Sequence, residues 1–307
     1  MAISLNPGKF GKLVDFFGGI KDIKKGTIRV LYNLSFIDDP TRIFRAIRFE
    51  QRLHFKIDKQ TEHFINNAIK LGVFDKIANQ RVRDELILIL SEEKPINAIR
   101  RMADLNVLLL IHNRLKFTSN MERLFNSIYE VTNWFRLLFM QLNVEYWIIY
   151  FMAVIKELKE SEIREILTKF KFTRRHIDSI LSAYVYFSPA TKKLQSSRYL
   201  SPSNIYKLLN PLPPEVILFI MANTRNNFVR KKISLFLTHY KEQKPFISGN
   251  DLIALGIKPS KKFKNIMEEI LYLKLDGKIK TKEDEIEFVK NLKPELLKEE
   301  VGQKVEE

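Results

Sequence analysis

The residues whose types and spacing best suit chemistry lie in the segment Asp38-Asp39-Pro40-Thr41-Arg42. Asp39 and Arg42 are three residues apart, which places both side chains on the first turn of a predicted helix. A carboxylate accepts a hydrogen bond from an amino group, and a guanidinium donates one to a ring nitrogen. Cytosine and adenine present that amino donor beside a ring-nitrogen acceptor, whereas uracil and guanine present the reverse. The pair therefore suits a site that admits C and A and rejects U and G.

Two more arginines repeat along the same predicted helix. Arg45 and Arg48 continue the three-residue spacing from Arg42, so the three guanidinium groups drift slowly around one helix face. The planar fork of a guanidinium matches the oxygens of a phosphate. On geometry alone, a capped and solvated basic helix explains the same residues.

Two other local patterns place charges at regular spacing. Gly18 and Gly19 lie between the acidic residues Asp15 and Asp22, a composition that suits a tight turn, and a simple hairpin accounts for it. Arg81 and Glu85 are four residues apart on a predicted helix, where they could pair on its surface. Neither pattern indicates a function by itself.

The composition excludes several kinds of chemistry. The sequence has no cysteine, which rules out disulfides, cysteine-based zinc sites and thiol catalysis and fits a cytoplasmic location. The histidines occur singly, away from metal-ligand spacing, so we predict no metal site in this chain. No apolar stretch approaches the roughly 18–20 residues of a membrane span, and the first ten residues lack the pattern of a signal peptide. We therefore expect no membrane partner.

The charge indicates a polyanionic partner. The chain of 307 residues carries 52 Lys and Arg against 36 Asp and Glu, a net charge of +16. Residues 293–307 hold three Lys and five Glu, so the remainder carries +18 and the excess lies in the main part of the chain. This excess of basic side chains favours nucleic acid as the partner, although lysine also increases solubility.

The elements that must position these residues are mostly helices. Only ten glycines are present, and apolar residues recur at three- and four-residue spacing. Short strands are predicted at 2–5, 13–16 and 27–31, and Asp39 is expected to cap a helix with Pro40 in its first turn. Further helices are predicted at about 59–71, 81–91, 95–105, 120–142, 145–159, 161–170, 174–186, 203–209, 214–222 and 227–243.

A separate small unit is predicted after a break near Lys244-Pro245. Ser248 with Asp251, and Thr281 with Asp284, have the three-residue spacing of capping boxes. The charged segment 293–307 is predicted to be disordered.

The sequence as a whole resembles the bacterial tRNA nucleotidyltransferase and poly(A) polymerase family (class II), which includes CCA-adding, CC-adding and A-adding enzymes. The similarity covers nearly the whole chain, and the segment from Asp38 to Arg42 is its most specific part. The motifs that carry it are Ala2-Ile3-Ser4-Leu5-Asn6, Asp15-Phe16-Phe17-Gly18-Gly19, Gly26-Thr27-Ile28-Arg29-Val30-Leu31, Phe36-Ile37-Asp38-Asp39-Pro40-Thr41-Arg42, Arg48-Phe49, Arg81-Val82-Arg83-Asp84-Glu85-Leu86, Pro202-Ser203-Asn204-Ile205-Tyr206-Lys207-Leu208-Leu209, Gly249-Asn250-Asp251-Leu252 and Leu275-Asp276-Gly277.

The resemblance implies roles for residues in these motifs. Asp39 and Arg42 match the pair that reads the base of the incoming ATP or CTP, and Arg45 and Arg48 match residues lining the nucleotide site. Two further groups match supporting elements, which are the flexible link between head and neck, at Asp15, Gly18, Gly19 and Asp22, and the helix that buttresses the nucleotide helix, at Arg81 and Glu85.

The resemblance also implies an architecture. The fold class is expected to be mainly α, an elongated assembly of many helices with a small β remnant at the start. The expected segments are a remnant of the nucleotidyltransferase head at 1–31, a neck for base recognition at 32–118, a helical body at 119–245, a tRNA-binding tail at 246–292 and the disordered end at 293–307.

The sequence departs from the family pattern in one respect. Family members carry a Gly-Gly phosphate-binding element and a metal-binding Asp-x-Asp pair in the head, before the position where this chain begins. There, two metal ions activate the 3′-hydroxyl of the RNA for attack on the nucleotide. We therefore expect Mg²⁺, ATP and CTP for the family, with the Mg²⁺ ligands absent from this chain, and we expect the chain alone to be inactive.

The expected function is addition of CMP or AMP to the 3′ end of tRNA, with this chain carrying base selection and RNA binding. Two alternatives stay open, which are a non-catalytic RNA-binding subunit completed by a separate head chain, and a shortened form of a longer enzyme. The sequence does not distinguish CCA, CC and A addition.

The expected RNA partner is tRNA, on its acceptor and T-arm side, or another RNA 3′ end. Basic side chains in three clusters, the first with Phe170 and Phe172 among them, would contact its phosphates. The candidates are Lys171, Arg174, Arg175, Lys231, Lys232, Lys261 and Lys262.

Overall fold

The computed structural model describes residues 1–72, 79–196, 199–257, 259 and 262–302, and for residues 262 and 293–302 it describes the backbone alone. The chain divides into two compact units. The first contains Met1–Val185 and Pro214–Asn223, and the second contains Tyr186–Pro213 and Thr224–Glu307. Helices dominate both units, which confirms the predicted fold class. The finer division at residues 31, 118, 245 and 292 stays a prediction.

The first unit begins with two small sheets. Strand β1 (Ala2–Ile3) pairs antiparallel with β2 (Leu13–Val14), and β3 (Thr27–Ile28) pairs in parallel with β4 (Lys56–Ile57). Each strand is two residues long, shorter than predicted, because each has only one neighbour in its sheet. Between β2 and β3 lies helix α1 (Gly19–Lys25), which begins directly after Gly18 in the segment whose composition suits a tight turn.

The side chain of Asp15 stabilises the start of this helix, so the segment is more than the simple hairpin that would also account for its composition. Its carboxylate accepts the backbone N–H of Gly19 at 2.9 Å and that of Ile20 at 2.8 Å. These are N–H groups that have no partner inside the helix, so a side-chain acceptor stabilises the start of α1. Gly18 precedes the helix with φ of +74°, a backbone conformation that favours glycine.

The next helices of the first unit form a bundle around α3. In order they are α2 (Ser35–Asp38), α3 (Thr41–Arg52), α4 (Lys59–Lys70), α5 (Asn79–Leu90), α6 (Pro95–Asp104) and α7 (Leu108–Ile111). Ile43, Phe44 and Ile47 of α3 are fully buried, and α3 packs against α5 and α6. This apolar stripe fixes the rotation of α3 and so fixes which way its arginines point.

Helix α6 is tied to α3 by charge as well as by packing. Glu50, near the end of α3, is 7% exposed and accepts a hydrogen bond from Arg101 Nε at 2.9 Å and from Ile57 N at 2.9 Å. Arg101 also donates to Glu62 of α4 at 2.7 Å. The charged groups in this junction are therefore paired, as buried charges must be.

The rest of the first unit is built on two apolar helices. It contains α8 (Ser119–Arg136), α9 (Tyr146–Ile155), α10 (Glu160–Lys169) and α13 (Pro214–Asn223). Every residue of α9 from Trp147 to Ile155 is buried, and α8 packs against both α9 and α13. Helices that are apolar on all sides form the centre of a core.

No single helix among the described residues is long and apolar enough to span a bilayer. Pro202–Leu209 together with Pro214–Asn223 would pass by length and composition only.

Helix α11 (Arg174–Ser196) contributes residues to both units. The second unit also contains α12 (Pro202–Leu209), α14 (Asn227–Leu235) continued by one π-helical turn (Phe236–Tyr240), α15 (Gly249–Ala254), α16 (Lys262–Leu275) and α17 (Lys282–Gly302).

A small apolar cluster stabilises the end of the second unit. Ile247, Leu252, Ile266, Ile270 and Val289 are buried together. These residues come from α15, α16, α17 and the segment before α15, so the cluster joins all three helices.

Both predicted capping boxes are confirmed. Ser248 N–H donates to Asp251 at 2.7 Å. Thr281 N–H donates to Asp284 at 2.9 Å, and Asp284 N–H donates back to the Thr281 hydroxyl at 3.1 Å.

The predicted disorder from residue 293 does not match the backbone. Helix α17 continues to Gly302, and its Glu, Lys and Leu residues are good helix formers. Residues 303–307 lie outside the described residues.

We predict that Glu285→Ala destabilises the second unit. The Glu285 side chain is fully buried and accepts the N–H of Phe246 at 2.8 Å and that of Ile247 at 2.9 Å. Removing it leaves two donors without an acceptor, a loss of about 3 kcal/mol in the free energy of unfolding. Urea unfolding followed by circular dichroism measures it. Glu287→Ala, on an exposed position of the same helix, is the control, and an equal effect of both changes would contradict this role.

Candidate functional site

The candidate site lies where α3 begins. Asp39 has an extended backbone, and its carboxylate accepts the Thr41 N–H at 3.2 Å and the Thr41 hydroxyl at 2.6 Å. The helix begins at Thr41, and Pro40 occupies the position just before it. Asp39 therefore stabilises the first turn, but the prediction that it is the cap, with Pro40 inside the helix, is one residue out, because Pro40 holds the cap position.

The Asp39 carboxylate lies between two guanidinium groups. Arg81 of α5 donates to Asp39 Oδ2 at 2.8 Å, and Arg42 Nε lies 3.7 Å from the same oxygen. Burial alone would raise the pKa of Asp39, but the hydrogen bonds from Thr41 and Arg81 outweigh it and hold the pKa below the usual value. The carboxylate is therefore ionised at neutral pH and acts only as an acceptor.

Arg42 is held on one side and open on the other. It donates to the Ser35 hydroxyl at 2.7 Å, and its guanidinium carbon lies 5.9 Å from the centre of the Tyr32 ring. Tyr32 in turn donates its hydroxyl proton to Asp38 at 2.5 Å. The Arg42 side chain is 43% exposed, so its remaining N–H groups face solvent.

Together these contacts leave one acceptor position on Asp39. A carboxylate has about four lone-pair positions. The Thr41 N–H, the Thr41 hydroxyl and Arg81 occupy three of them, and the 3.7 Å separation from Arg42 is too long for a hydrogen bond. Oδ2 accepts from Arg81 alone among the described residues and lies 3.7 Å from Arg42 Nε, which suits an amino group next to a ring nitrogen.

Arg45 and Arg48 of α3 face carboxylates of α5 and of the loop after it. Arg45 Nε lies 3.9 Å from Glu85, and its side chain is 52% exposed. Arg48 lies 3.7 Å from Glu85 and 3.5 Å from Glu92, and only 11% of its side chain is exposed. Arg45 thus faces solvent beside the Asp39 site, while Arg48 is largely enclosed. Contact of either with a ligand stays a prediction.

Arg81 and Glu85 both reach across to α3. Arg81 pairs with Asp39, and Glu85 pairs with Arg45 and Arg48, so their ion pairs join the two helices instead of stabilising α5 on its own. Burial is the largest influence on Glu85 and raises its pKa, which the nearby arginines oppose without cancelling. Within the described part of the chain, Glu85 Oε2 and Arg48 Nε have no hydrogen-bond partner.

The four predicted hinge residues lie together around α1. Asp15 caps the helix after Gly18, and a Cβ on Gly19 would come within 3.2 Å of the Met1 side chain. Asp22 binds Arg29 at 2.8 Å, and Arg29 also donates to the Phe17 carbonyl at 2.9 Å. A hinge role stays a prediction. Arg29 belongs to the motif Gly26-Thr27-Ile28-Arg29-Val30-Leu31. No spacing in the sequence indicated that Arg29 binds both Asp22 and the Phe17 carbonyl.

The first basic cluster is exposed, but its aromatic residues are not. Lys171 is exposed, and its carbonyl accepts a hydrogen bond from Arg83. Arg174 is 87% exposed and pairs with Asp178 at 3.1 Å, and Arg175 lies 3.5 Å from Glu145. Phe170 and Phe172 are buried, so only the basic side chains of this cluster are open to solvent, and their contact with RNA stays a prediction.

The second cluster is split by burial. Lys231 is exposed, whereas Lys232 is 7% exposed and donates from its ammonium to the Leu194 carbonyl at 2.8 Å. Burial also lowers the pKa of Lys232. The prediction that Lys232 contacts RNA is therefore wrong, because its ammonium is enclosed within the second unit. Lys261 and the side chain of Lys262 lie outside the described residues.

The residues present do not fit a Mg²⁺ ion. In the described ranges, no three His, Asp or Glu side chains come together as a metal would need. Asp38 is engaged by Tyr32, and Asp39 by Thr41 and Arg81. We therefore derive no step through a metal from this site.

We predict opposite pH dependence for two glutamate variants. The raised pKa of Glu85 means that its contribution to stability is complete below about pH 4 and is lost as the pH rises through the folded-state pKa. The free energy of unfolding of the unchanged chain minus that of Glu85→Gln should therefore fall as the pH rises above about 4.

Glu162→Gln is the control for that prediction. The N–H of Lys159 and the guanidinium of Arg114 lower the pKa of Glu162, so the corresponding difference should rise with pH. Thermal unfolding across the pH range measures both differences. The same sign of slope for the two variants would contradict the burial of Glu85.

We also predict that neighbouring lysines differ in what they support. Lys231→Ala should weaken RNA binding and reduce the slope of log affinity against log salt by about one, since one phosphate contact is lost. Lys232→Ala should lower the melting temperature because it removes the enclosed donor to Leu194. Fluorescence anisotropy at several salt concentrations and thermal unfolding separate the two outcomes. Equal effects of both variants on RNA binding at unchanged stability would contradict this division.

Comparison with known proteins places these features in a family. Residues 54–115 match the family described as "Probable RNA and SrmB- binding site of polymerase A". Over 296 residues the chain is 38% identical to the A-adding tRNA nucleotidyltransferase of Geobacter sulfurreducens, which covers 95% of this chain and 34% of the relative. The chain thus spans about a third of that relative's length.

Solved structures agree with the sequence comparison. The Thermotoga maritima CCA-adding enzyme complexed with tRNA is 33% identical, with a TM-score of 0.74 over 94% of this chain and 69% of that one. A CCA-adding enzyme in complex with ATP is also 33% identical, with a TM-score of 0.73 over 92% of this chain and 66% of that one. The chain belongs to the family of bacterial tRNA nucleotidyltransferases and poly(A) polymerases.

Proposed function

We propose that this chain supplies base selection and RNA binding for the addition of CMP or AMP, from CTP or ATP, to the 3′ end of tRNA in the cytoplasm. The observation that carries the proposal is the free acceptor position on Asp39 beside the open donors of Arg42. The family and the similar structures with tRNA and ATP support it.

Base selection follows from the direction of two hydrogen bonds. The Asp39 carboxylate accepts from the exocyclic amino group of cytosine or adenine, and Arg42 donates to the adjacent ring nitrogen. Uracil and guanine place a carbonyl oxygen opposite the carboxylate and an N–H opposite the guanidinium. Both contacts are then repulsive in a partly enclosed site, where an unmatched polar group is costly.

The geometry of α3 and α5 keeps this pair in position. Arg81 fixes the carboxylate of Asp39 from α5, and Ser35 fixes the guanidinium of Arg42 from α2. Pre-set donors and acceptors lose little freedom on binding, so more of their interaction energy serves selectivity. Arg45, exposed one turn further along α3, suits contact with the phosphates of the same nucleotide.

RNA binding is supported by the charge of the chain. The net charge of +16 favours a polyanion, and the basic side chains of Lys171, Arg174, Arg175 and Lys231 are exposed, although Arg174 and Arg175 also lie against Asp178 and Glu145. Such contacts position the RNA without reading its sequence.

We predict that the unchanged chain prefers CTP and ATP over UTP and GTP, and that Asp39→Ala or Arg42→Ala removes most of this preference. One hydrogen bond to a charged group contributes about 1.5–3 kcal/mol, so each change should reduce the preference about tenfold or more. Competition of unlabelled nucleotides against labelled CTP in equilibrium dialysis measures it. tRNA affinity should change less than the preference does.

Asp58→Ala is the matched control for that experiment. Asp58 also caps a helix, accepting the Thr61 N–H at 2.7 Å, so the control removes a carboxylate and a cap without touching the Asp39 site. Unchanged selectivity in both Asp39→Ala and Arg42→Ala would remove the assignment of these two residues to base selection.

The catalytic part of the proposal has its own test. Labelled CTP and ATP are supplied with Mg²⁺, tRNA lacking its 3′ end and the 307-residue chain. No incorporation by a sample that binds the tRNA supports a selecting and RNA-holding role completed by another polypeptide. Clear incorporation would show that carboxylates of this chain hold the metal. That result would contradict the finding that its described residues do not fit Mg²⁺.

A further inference from the structure

A cavity of about 400 Å³ lies in the first unit among α6, α8 and α9, and its lining includes none of the site residues described above. This volume is within the usual range for a site that holds one small ligand. Its lining combines cationic, amide and aromatic side chains with one carboxylate, Glu122. The polar and aromatic members besides Glu122 are Lys94, Asn97, Arg100, Asn126, Tyr129 and Tyr150, with Phe125 beside them.

The cavity has a positive charge at its rim. Lys94 is exposed, and its ammonium lies 5.7 Å from the centre of the Tyr129 ring. Arg100 is half-buried and pairs with Glu122, while its guanidinium carbon lies 5.3 Å from the centre of the Phe117 ring. No ion pair is formed by Lys94 with the described residues, so its charge is available to a phosphate.

Two amides face the same space without protein partners. Asn97 comes from α6 and Asn126 from α8, and neither side chain makes a hydrogen bond to any described part of the chain. Each amide offers both a donor and an acceptor, which is the combination that base edges match.

The aromatic wall suits a flat ring. Tyr129 is half-buried and presents its ring to the cavity, where a cation already lies over it. Behind it, Tyr150 is buried, and burial raises its pKa to about 12, so it stays neutral at physiological pH. The aromatic wall therefore carries no negative charge, and the one carboxylate that lines the cavity, Glu122, is paired with Arg100.

We infer that this cavity binds one nucleotide of single-stranded RNA, with the base against Tyr129, the base edges toward Asn97 and Asn126, and the phosphate toward Lys94. Lys94, Asn97 and Arg100 lie within residues 54–115, the range that matches the RNA-binding family. Base stacking on an aromatic ring with a neighbouring cation is the usual way in which proteins hold single strands.

The exposed rim favours RNA over a free nucleotide. Because Lys94, Asn97 and Asn126 are exposed, the cavity opens to solvent, and a bound nucleotide can stay joined to its neighbours in the strand. The inference rests on the proposed function only in taking RNA as the substrate, and it adds a second RNA contact that uses no residue of the Asp39 site.

The first test compares two substitutions of one ring. Tyr129→Leu removes the aromatic face, whereas Tyr129→Phe keeps it and removes a hydroxyl that has no partner in the described residues. By fluorescence anisotropy with a labelled single-stranded oligoribonucleotide, Tyr129→Leu should weaken binding about fivefold or more, and Tyr129→Phe less than twofold. Equal affinity of both variants and the unchanged chain would overturn the inference.

A charge pair provides the second comparison. Lys94→Glu should weaken the same RNA more than Lys70→Glu, which makes the same charge change at an exposed position on α4. Equal losses would mean that only the overall charge acts, which overturns a local site.

A cross-link keeps the test decisive if Tyr129→Leu fails to fold. Irradiation of the unchanged chain with an oligoribonucleotide containing 5-iodouridine should attach RNA to Tyr129, in the tryptic peptide 124–136. Its absence from that peptide, in a sample that binds the RNA, overturns the inference. The last measurement is the binding of cytidine and adenosine monophosphates. If Tyr129→Leu loses this binding while its RNA affinity is unchanged, the cavity holds a free nucleotide, and the inference that it holds RNA is overturned.

These outcomes are separable from failure of the proposed function. Tyr129→Leu should leave the preference for CTP and ATP unchanged, because Tyr129 lines the cavity and not the Asp39 site. Asp39→Ala should leave the cross-link at Tyr129 intact.

Discussion

The ion pair between Asp39 and Arg81 is the contact on which the site depends. It joins the start of α3 to α5 across 42 positions of sequence, at 2.8 Å. The same carboxylate accepts both polar hydrogens of Thr41, so one side chain starts the helix, fixes it to its neighbour and retains an acceptor position. These bonds fix the orientation of the carboxylate. The distance and direction from Asp39 to Arg42 therefore depend on them.

One face of α3 is apolar and packs in the core, and the other carries arginines. Ile43, Phe44 and Ile47 hold the helix in the core, and the arginines occupy the remaining surface. A surface with so many guanidinium groups needs carboxylates nearby, which Glu85 supplies from α5. Burial of Glu85 disfavours its charge while the arginines favour it, so the junction between the helices is a balance of opposing electrostatic effects.

The sequence predicted what is local and missed what is tertiary. Helical periodicity located most helices within a few residues, and the spacing of Asp39 and Arg42 placed both at one helix start. The partner of Asp39 was not predictable, because no periodicity relates Arg81 to it. Burial of Lys232 was missed for the same reason, since its exposed neighbour Lys231 has the same chemistry. The cavity beside Tyr129 was missed because three helices distant in sequence form it.

The lowered pKa of Asp39 has a consequence for fidelity. A carboxyl that titrated near neutrality would be protonated in part of the population, and a protonated oxygen donates where the ionised one accepts. The hydrogen bonds from Thr41 and Arg81 prevent this. If Asp39 reads a base, its carboxylate therefore accepts and never donates near neutral pH, and modest acidification leaves the hydrogen-bonding pattern offered to the base unchanged.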